Sequence, residues 1–220
     1  MILPSDNDYQ EAKHLKRNNS ALQPPFRELA AWLSAEYRIN VINLYYDKII
    51  PDKRPRLTVI LESNSDERRF RDSELGNYNR IDQDRIGRRF SKIVAERQDD
   101  RFNTDGLLVI FAAFEPVARV EANESVTEAE LESLKLRLNN KDLWKISRLF
   151  GGVTFFFFTD AQVKKYEAAG LRERYAQEYA PLVEPHDEFG YISKRNVAVY
   201  FDSKENFDAN YSGNWYHYYK

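Results

Sequence analysis

The sequence predicts a mixed α/β protein of the α+β class, with a central mixed β-sheet holding a buried aromatic strand at 153–158 and helices packed against it. Three observations carry that expectation. Val153-Thr154-Phe155-Phe156-Phe157-Phe158 places aromatic rings on both faces of one extended run, which demands apolar cover above and below. A second continuous apolar run of strand length occupies 107–112. Elsewhere the apolar residues fall at helical spacing, as in Phe26, Leu29, Ala30, Leu33 and Tyr37.

Taken in order, the polar stretch 6–20 reads as a short helix and a loop. Pro24-Pro25 opens the first amphipathic helix, where a missing N–H costs nothing. Strands at 40–49 and 56–61 flank a Pro-containing turn at 50–55. The charged stretch 62–80 reads as a long surface loop. Asp82 and Asp84 then suit the positive end of a helix carrying Ile86, Phe90, Ile93 and Val94. An edge strand is expected at 116–122, followed by a break at Asn123-Glu124-Ser125. Thr127 and Glu130 form a capping box for a helix through Leu131, Leu134 and Leu138. A second helix is expected through Leu143, Ile146 and Phe150, stopped by Gly151-Gly152.

Thr159 and Gln162 cap a helix that Gly170 kinks and Pro181 and Pro185 end. A strand at 197–201 and a short helix capped by Ser203 follow, and the aromatic C-terminus reads as a last edge strand. The expected organisation is one compact domain over 1–220, divisible into two lobes: an αββαβ half at 21–122 and an ααβαβ half at 126–220. The alternation of helix and strand in both halves admits an internal duplication.

Composition narrows the function classes. A 220-residue chain with 42% hydrophobic and 14% aromatic content can build a proper core. Its 33 basic residues nearly cancel 35 acidic ones, and a net charge of −2 argues against a nucleic-acid or membrane-surface footprint. The absence of cysteine removes disulfides and thiolate metal sites, and suits a reducing compartment. No signal-peptide pattern opens the sequence, and no apolar run nears the ~20 residues of a membrane helix, so a cytoplasmic location is expected.

Motif chemistry is sparse. Phosphate-cradling glycine motifs, a nucleophile elbow and H-E-x-x-H are all missing, and His14, His186 and His217 show no metal-ligand spacing. No cofactor or metal is expected. Glu184-Pro185-His186-Asp187-Glu188 gathers one imidazole among carboxylates, so His186, Asp187 and Glu188 are catalytic candidates, since a carboxylate orients an imidazole and raises its pKa. The competing reading is a polar helix-to-strand connection. Asp52 and Glu62 bracket an apolar strand, and two carboxylates so placed can share a divalent cation that activates water.

The order helix, strand, strand, helix, strand around that pair is similar to the restriction-endonuclease-like nucleases over residues 26–112. Pro51-Asp52 with Glu62 matches part of the family's motif, while its lysine position is Asn64 here. The resemblance implies a metal-dependent phosphodiesterase. Arginines 68, 69, 71, 80, 85, 88, 89, 97 and 101 offer forks for phosphates, but interleaved acids, Glu74 among them, make an internally paired, solvated face the expected outcome. At the C-terminus, Trp215, Tyr216, Tyr218 and Tyr219 are binding candidates, because such rings bury much area and keep a polar tip. By exclusion of catalytic motifs, the expected function is non-catalytic binding of a protein partner, of immunity or regulatory type. The alternative is a metal-dependent nuclease or another carboxylate-using hydrolase.

Overall fold

The computed structural model describes residues 2–72 and 76–220. The chain forms two compact units, 1–117 and 118–220, and the boundary along the chain falls within one helix. The first unit runs α1 (Asn7–Arg17), α2 (Phe26–Tyr37), β1 (Val41–Ile49), β2 (Arg54–Leu61), α3 (Asn64–Arg68), α4 (Arg80–Arg97) and β3 (Leu108–Ala113). Helix α5 (Phe114–Ser125) carries the boundary. The second unit continues with α6 (Glu128–Leu138), β4 (Leu143–Leu149), β5 (Gly152–Phe157), α7 (Asp160–Ala168), α8 (Arg172–Val183), β6 (Ala198–Ser203), α9 (Lys204–Tyr211) and α10 (Trp215–Tyr218).

Each unit owns a three-stranded mixed sheet, ordered β1-β2-β3 and β4-β5-β6. In both, the first two strands are antiparallel and the last two parallel. The aromatic strand is therefore central, but in one of two small sheets.

The units repeat one fold hydrogen bond by hydrogen bond. A bulge falls between Val41 and Asn43 in one sheet and between Leu143 and Lys145 in the other. The N–H of Glu62 donates to Asn40 O and that of Phe158 to Asp142 O; the N–H of Glu115 donates to Glu62 O and that of Glu205 to Phe158 O. Ser63 and Thr159, each two residues past its strand, cap the following helix through the N–H groups of Asp66 and Gln162. The parallel registers end alike, at Leu61 opposite Ala113 and Phe157 opposite Ser203. Side-chain identity across these pairs is low, so the repeat resides in backbone geometry.

One face of each sheet packs on helices. In the first unit Leu44, Leu57, Val59, Val109 and Phe111 meet Leu29 and Leu33 of α2 and Ile86 and Phe90 of α4. In the second, Val153, Phe155, Phe157, Val199 and Phe201 meet Leu131 and Leu134 of α6 and Tyr175 and Tyr179 of α8. The opposite faces are covered by the chain's two ends. Tyr9 and Ala12 of α1 are fully buried in the first unit, while Phe207 of α9 and Trp215 and Tyr218 of α10 meet Phe156 in the second.

Several expectations are corrected. The helix expected at 143–150 is strand β4. Its bulge sets three residues, Leu143, Lys145 and Ile146 with Trp144 between, against Phe157, Phe156 and Phe155, so Leu143 and Ile146 both reach the core at a spacing that imitates a helix. Phe150 belongs to the hairpin turn and is 70% exposed. The edge strand expected at 116–122 is part of α5, whose first turn tolerates Pro116 because its N–H has no helical partner. The stretch 62–80 is not a bare surface loop: Ser63 caps α3, and Glu67 and Phe70 are buried. Ser73, Glu74 and Leu75 lie outside the described residues. The helix after Thr159 divides at Gly170, which adopts φ +66° between α7 and α8. The last edge strand is helix α10, capped by Asn214, whose side chain accepts from Tyr216 N and His217 N. Phe158 lies past the end of β5 and is 44% exposed, so the buried aromatic run stops at Phe157.

Candidate functional site

Asp52 and Glu62 lie at opposite ends of β2. Asp52 sits in the hairpin turn, where its carboxylate accepts from Arg54 N at 3.1 Å. Seven residue steps at about 3.3 Å each put the ends of that strand roughly 23 Å apart. A single cation needs oxygens within about 2.6 Å, so this pair holds none together. Glu62 is instead gripped by Lys16 Nζ at 3.0 Å from each carboxylate oxygen and by Asn40 Nδ2 at 3.1 Å. Its backbone counterpart in the second unit is Phe158.

The His186 cluster disperses as well. Asp187 turns back to accept from Ile192 N at 2.5 Å, which closes the connection before β6. The carboxylate that approaches the imidazole is Glu130, with Oε1 3.9 Å from His186 Nε2, beyond hydrogen-bond reach. Glu130 is itself the capping-box acid of α6, and the backbone N–H and hydroxyl of Thr127 hold its carboxyl below the usual range. Glu188 donates its N–H to His186 O at 3.1 Å. This is the geometry of a closed loop. Among the described residues no three His, Cys, Asp or Glu side chains gather as metal ligands.

The aromatic tail divides in two. Trp215 stacks on Trp144 at 6.1 Å and on Tyr219 at 5.8 Å. Tyr218 donates to Asp202 Oδ2 at 2.5 Å, and Tyr219 to Ser147 Oγ at 2.7 Å. Burial first, and then the Asp202 carboxylate, push the Tyr218 hydroxyl well above its usual pKa. These three rings are committed to their own sheet. Tyr216 alone turns outward, 69% exposed.

The arginine-rich span is largely spent on ion pairs: Arg69–Asp66, Arg71–Glu67, Arg85–Glu36, Arg97–Glu28 and Arg101–Asp99, at 2.6 to 3.7 Å. Glu36 and Glu28 come from α2, so two of these pairs fasten α4 and its end to a neighbouring helix rather than closing within the span.

Sequence reasoning overlooked one polar cluster, at the edge of the first sheet. Buried Glu67 pairs with Arg71 at 2.6 Å. The Tyr78 hydroxyl lies 3.0 Å from Glu67 Oε1 and 2.5 Å from Phe111 O, and its single proton serves one acceptor at a time. Gln83 Nε2 donates to Val109 O at 2.5 Å. Only tertiary proximity reveals it, because Glu67, Tyr78 and β3 are far apart in the chain.

Burial, with the Glu67 charge next, pushes the Tyr78 hydroxyl up to about 12. A folded pKa above the unfolded value of about 10 means that the neutral hydroxyl's contribution is whole below pH 10 and lost as pH rises through about 12. Tyr78→Phe should therefore flatten the alkaline part of the stability curve, measured by urea unfolding at stepped pH. An unchanged slope would contradict the assignment.

A hollow of about 260 Å³ lined by Asn140, Tyr166, Leu171, Arg174 and Tyr175 brings no acid–base pair together. Its polar groups bond one another: Tyr166 donates to Asn140 Oδ1 at 3.0 Å and Asn140 Nδ2 to the Tyr175 oxygen at 2.8 Å. No family model matches the chain, and no curated protein or solved structure compared with it does so either. No helix among the described residues is long and apolar enough to cross a membrane.

Proposed function

We propose that this chain is a non-catalytic protein-binding protein, of immunity or regulatory type, that meets its partner through the second unit. The observation behind this reading is an asymmetry between two units of one fold. Among the described residues, the exposed large aromatics Phe150, Phe158, Tyr200 and Tyr216 all belong to the second unit. The first unit exposes only aliphatic residues of comparable size, Leu3, Ile50 and Ile81. Where the backbone repeat sets Phe158 in one unit it sets the ion-paired Glu62 in the other. Exposed aromatics gain nothing in water, and they are the side chains that dominate binding hot spots.

The test is co-purification from the native host with the full chain as bait, against a variant carrying Phe150→Asn, Phe158→Ser, Tyr200→Ser and Tyr216→Ser. The expected result is a protein recovered repeatedly by the parent chain and lost by the variant, with both giving the same circular dichroism. Recovery that ignores the four substitutions, or no recovered protein at all, would overturn the reading.

A further inference from the structure

One buried donor of the second unit has a proton without an acceptor, and it lines the hollow beside α8. Tyr175 is 4% exposed, and its oxygen accepts from Asn140 Nδ2 at 2.8 Å. The orientation of that amide is fixed from its other side. Asp142 N and the Tyr166 hydroxyl donate to Asn140 Oδ1 at 2.9 and 3.0 Å, so Nδ2 has to face Tyr175. Tyr175 therefore cannot return its own proton to Asn140. Burial raises the pKa of the hydroxyl, so it keeps that proton at neutral pH. No described residue accepts it. A buried donor left without an acceptor is costly, and folded proteins keep few of them.

Arg174 and Lys141 line the same hollow. Neither cation has an ion pair or a hydrogen bond among the described residues. The neighbouring carboxylate of Asp142 does not serve them, since it pairs with Lys165 at 3.2 Å. Helix α8 starts here too: Leu171 precedes it, lines the hollow and offers no side-chain cap. The positive end of the helix dipole thus adds to the two charges. Leu138 and Tyr166 supply apolar wall. At about 260 Å³ the space lies below the ~300–1,000 Å³ of pockets that hold drug-sized ligands, so its occupant is small.

We propose that this hollow, between the α6–β4 loop and the start of α8, binds a small oxyanion, a carboxylate or a phosphate group. Its oxygens accept from the Tyr175 hydroxyl and from the Arg174 guanidinium, whose planar fork matches two oxygens of either group. Lys141 supplies further positive charge. The site uses none of the exposed aromatics behind the protein-binding reading, so either can fail without the other.

The probes are sodium phosphate and sodium acetate. Each is titrated into the full chain against sodium chloride at equal ionic strength and followed by the NMR shifts of the Asn140 side-chain amide. At least one should give a saturable shift that chloride does not. Saturation by phosphate alone assigns a phosphate-bearing ligand, by acetate alone a carboxylate, and by both an oxyanion site that does not discriminate. Arg174→Gln should weaken binding about tenfold or more, and Tyr175→Phe, which keeps the ring and removes the proton, should weaken it as well. Arg195→Gln, an exposed cation outside the hollow, should leave it unchanged. Arg174 is exposed, so its variant keeps the test valid even where Tyr175→Phe disturbs the fold.

No saturable shift with either anion would overturn the site and assign the Tyr175 proton to water. Binding that ignores both Arg174→Gln and Tyr175→Phe would overturn it equally.

Discussion

Phe155→Ala is expected to lower the unfolding free energy by about 3–5 kcal/mol, the range for truncating a fully buried phenylalanine. Phe155 is completely buried at the middle of β5, the middle strand of its sheet. Its ring meets Tyr175 edge-on at 4.7 Å, and Tyr179 and Phe201 at 6.5 and 6.4 Å. Three rigid aromatic neighbours cannot collapse into the space that the ring vacates, so the cavity term adds to the lost transfer energy. Phe158→Ala, three residues along the same aromatic run, should change stability by no more than about 0.5 kcal/mol, as is usual for surface substitutions. Urea unfolding curves of the two variants measure the contrast. Similar losses from both would mean that Phe158 is core after all.

Asn123→Leu is the second large effect expected. Asn123 is 1% exposed, donates from Nδ2 to Gly152 O at 3.0 Å and accepts from the Tyr179 hydroxyl at 2.8 Å. It thereby ties α5 to the start of β5 and satisfies the one polar atom of a fully buried tyrosine side chain. Leucine keeps the volume and leaves both partners unpaired. At about 1–3 kcal/mol for each orphaned buried group, the loss should reach roughly 2–5 kcal/mol. Tyr179→Phe added to Asn123→Leu removes one orphan, so the double variant should be less destabilised than the sum of the singles. Strict additivity in that cycle would show that the two side chains do not act as a pair.

Much of the local structure was legible in the chain because its signals are local. The capping boxes at Thr127 and Thr159 and the cap at Ser203 all form as expected, since a hydroxyl three residues before a free N–H needs no distant partner. The helical face through Ile86, Phe90, Ile93 and Val94 is buried, as its spacing requires. Errors arose where a local pattern had two solutions. At Leu143 and Ile146 a bulge and a helix turn give the same apolar spacing, and the antiparallel partner Phe155–Phe157 decided for the strand. At the C-terminus, alternation through Trp215, His217 and Tyr219 reads as a strand, yet stacking on Trp144 and the Asn214 cap hold a helical turn.

The candidate site was less legible than the fold. Spacing brought Asp52 and Glu62 together on paper, but the strand between them holds them apart. His186 and Asp187 are neighbours in the chain whose side chains are drawn to different partners, Glu130 and the Ile192 backbone. The closure of the β3 edge by Tyr78 and Gln83 has no sequence signature, since each bond joins residues more than twenty positions apart.

By itself the sequence determined the α+β class, the aromatic strand and most helix starts, because period, capping and apolar run length are properties of short stretches. Only the tertiary structure decided that there are two small sheets rather than one, that both repeat a single backbone plan, and which rings stay exposed. Those outcomes depend on strand pairing and burial, in which each residue's environment is set by partners distant in the chain.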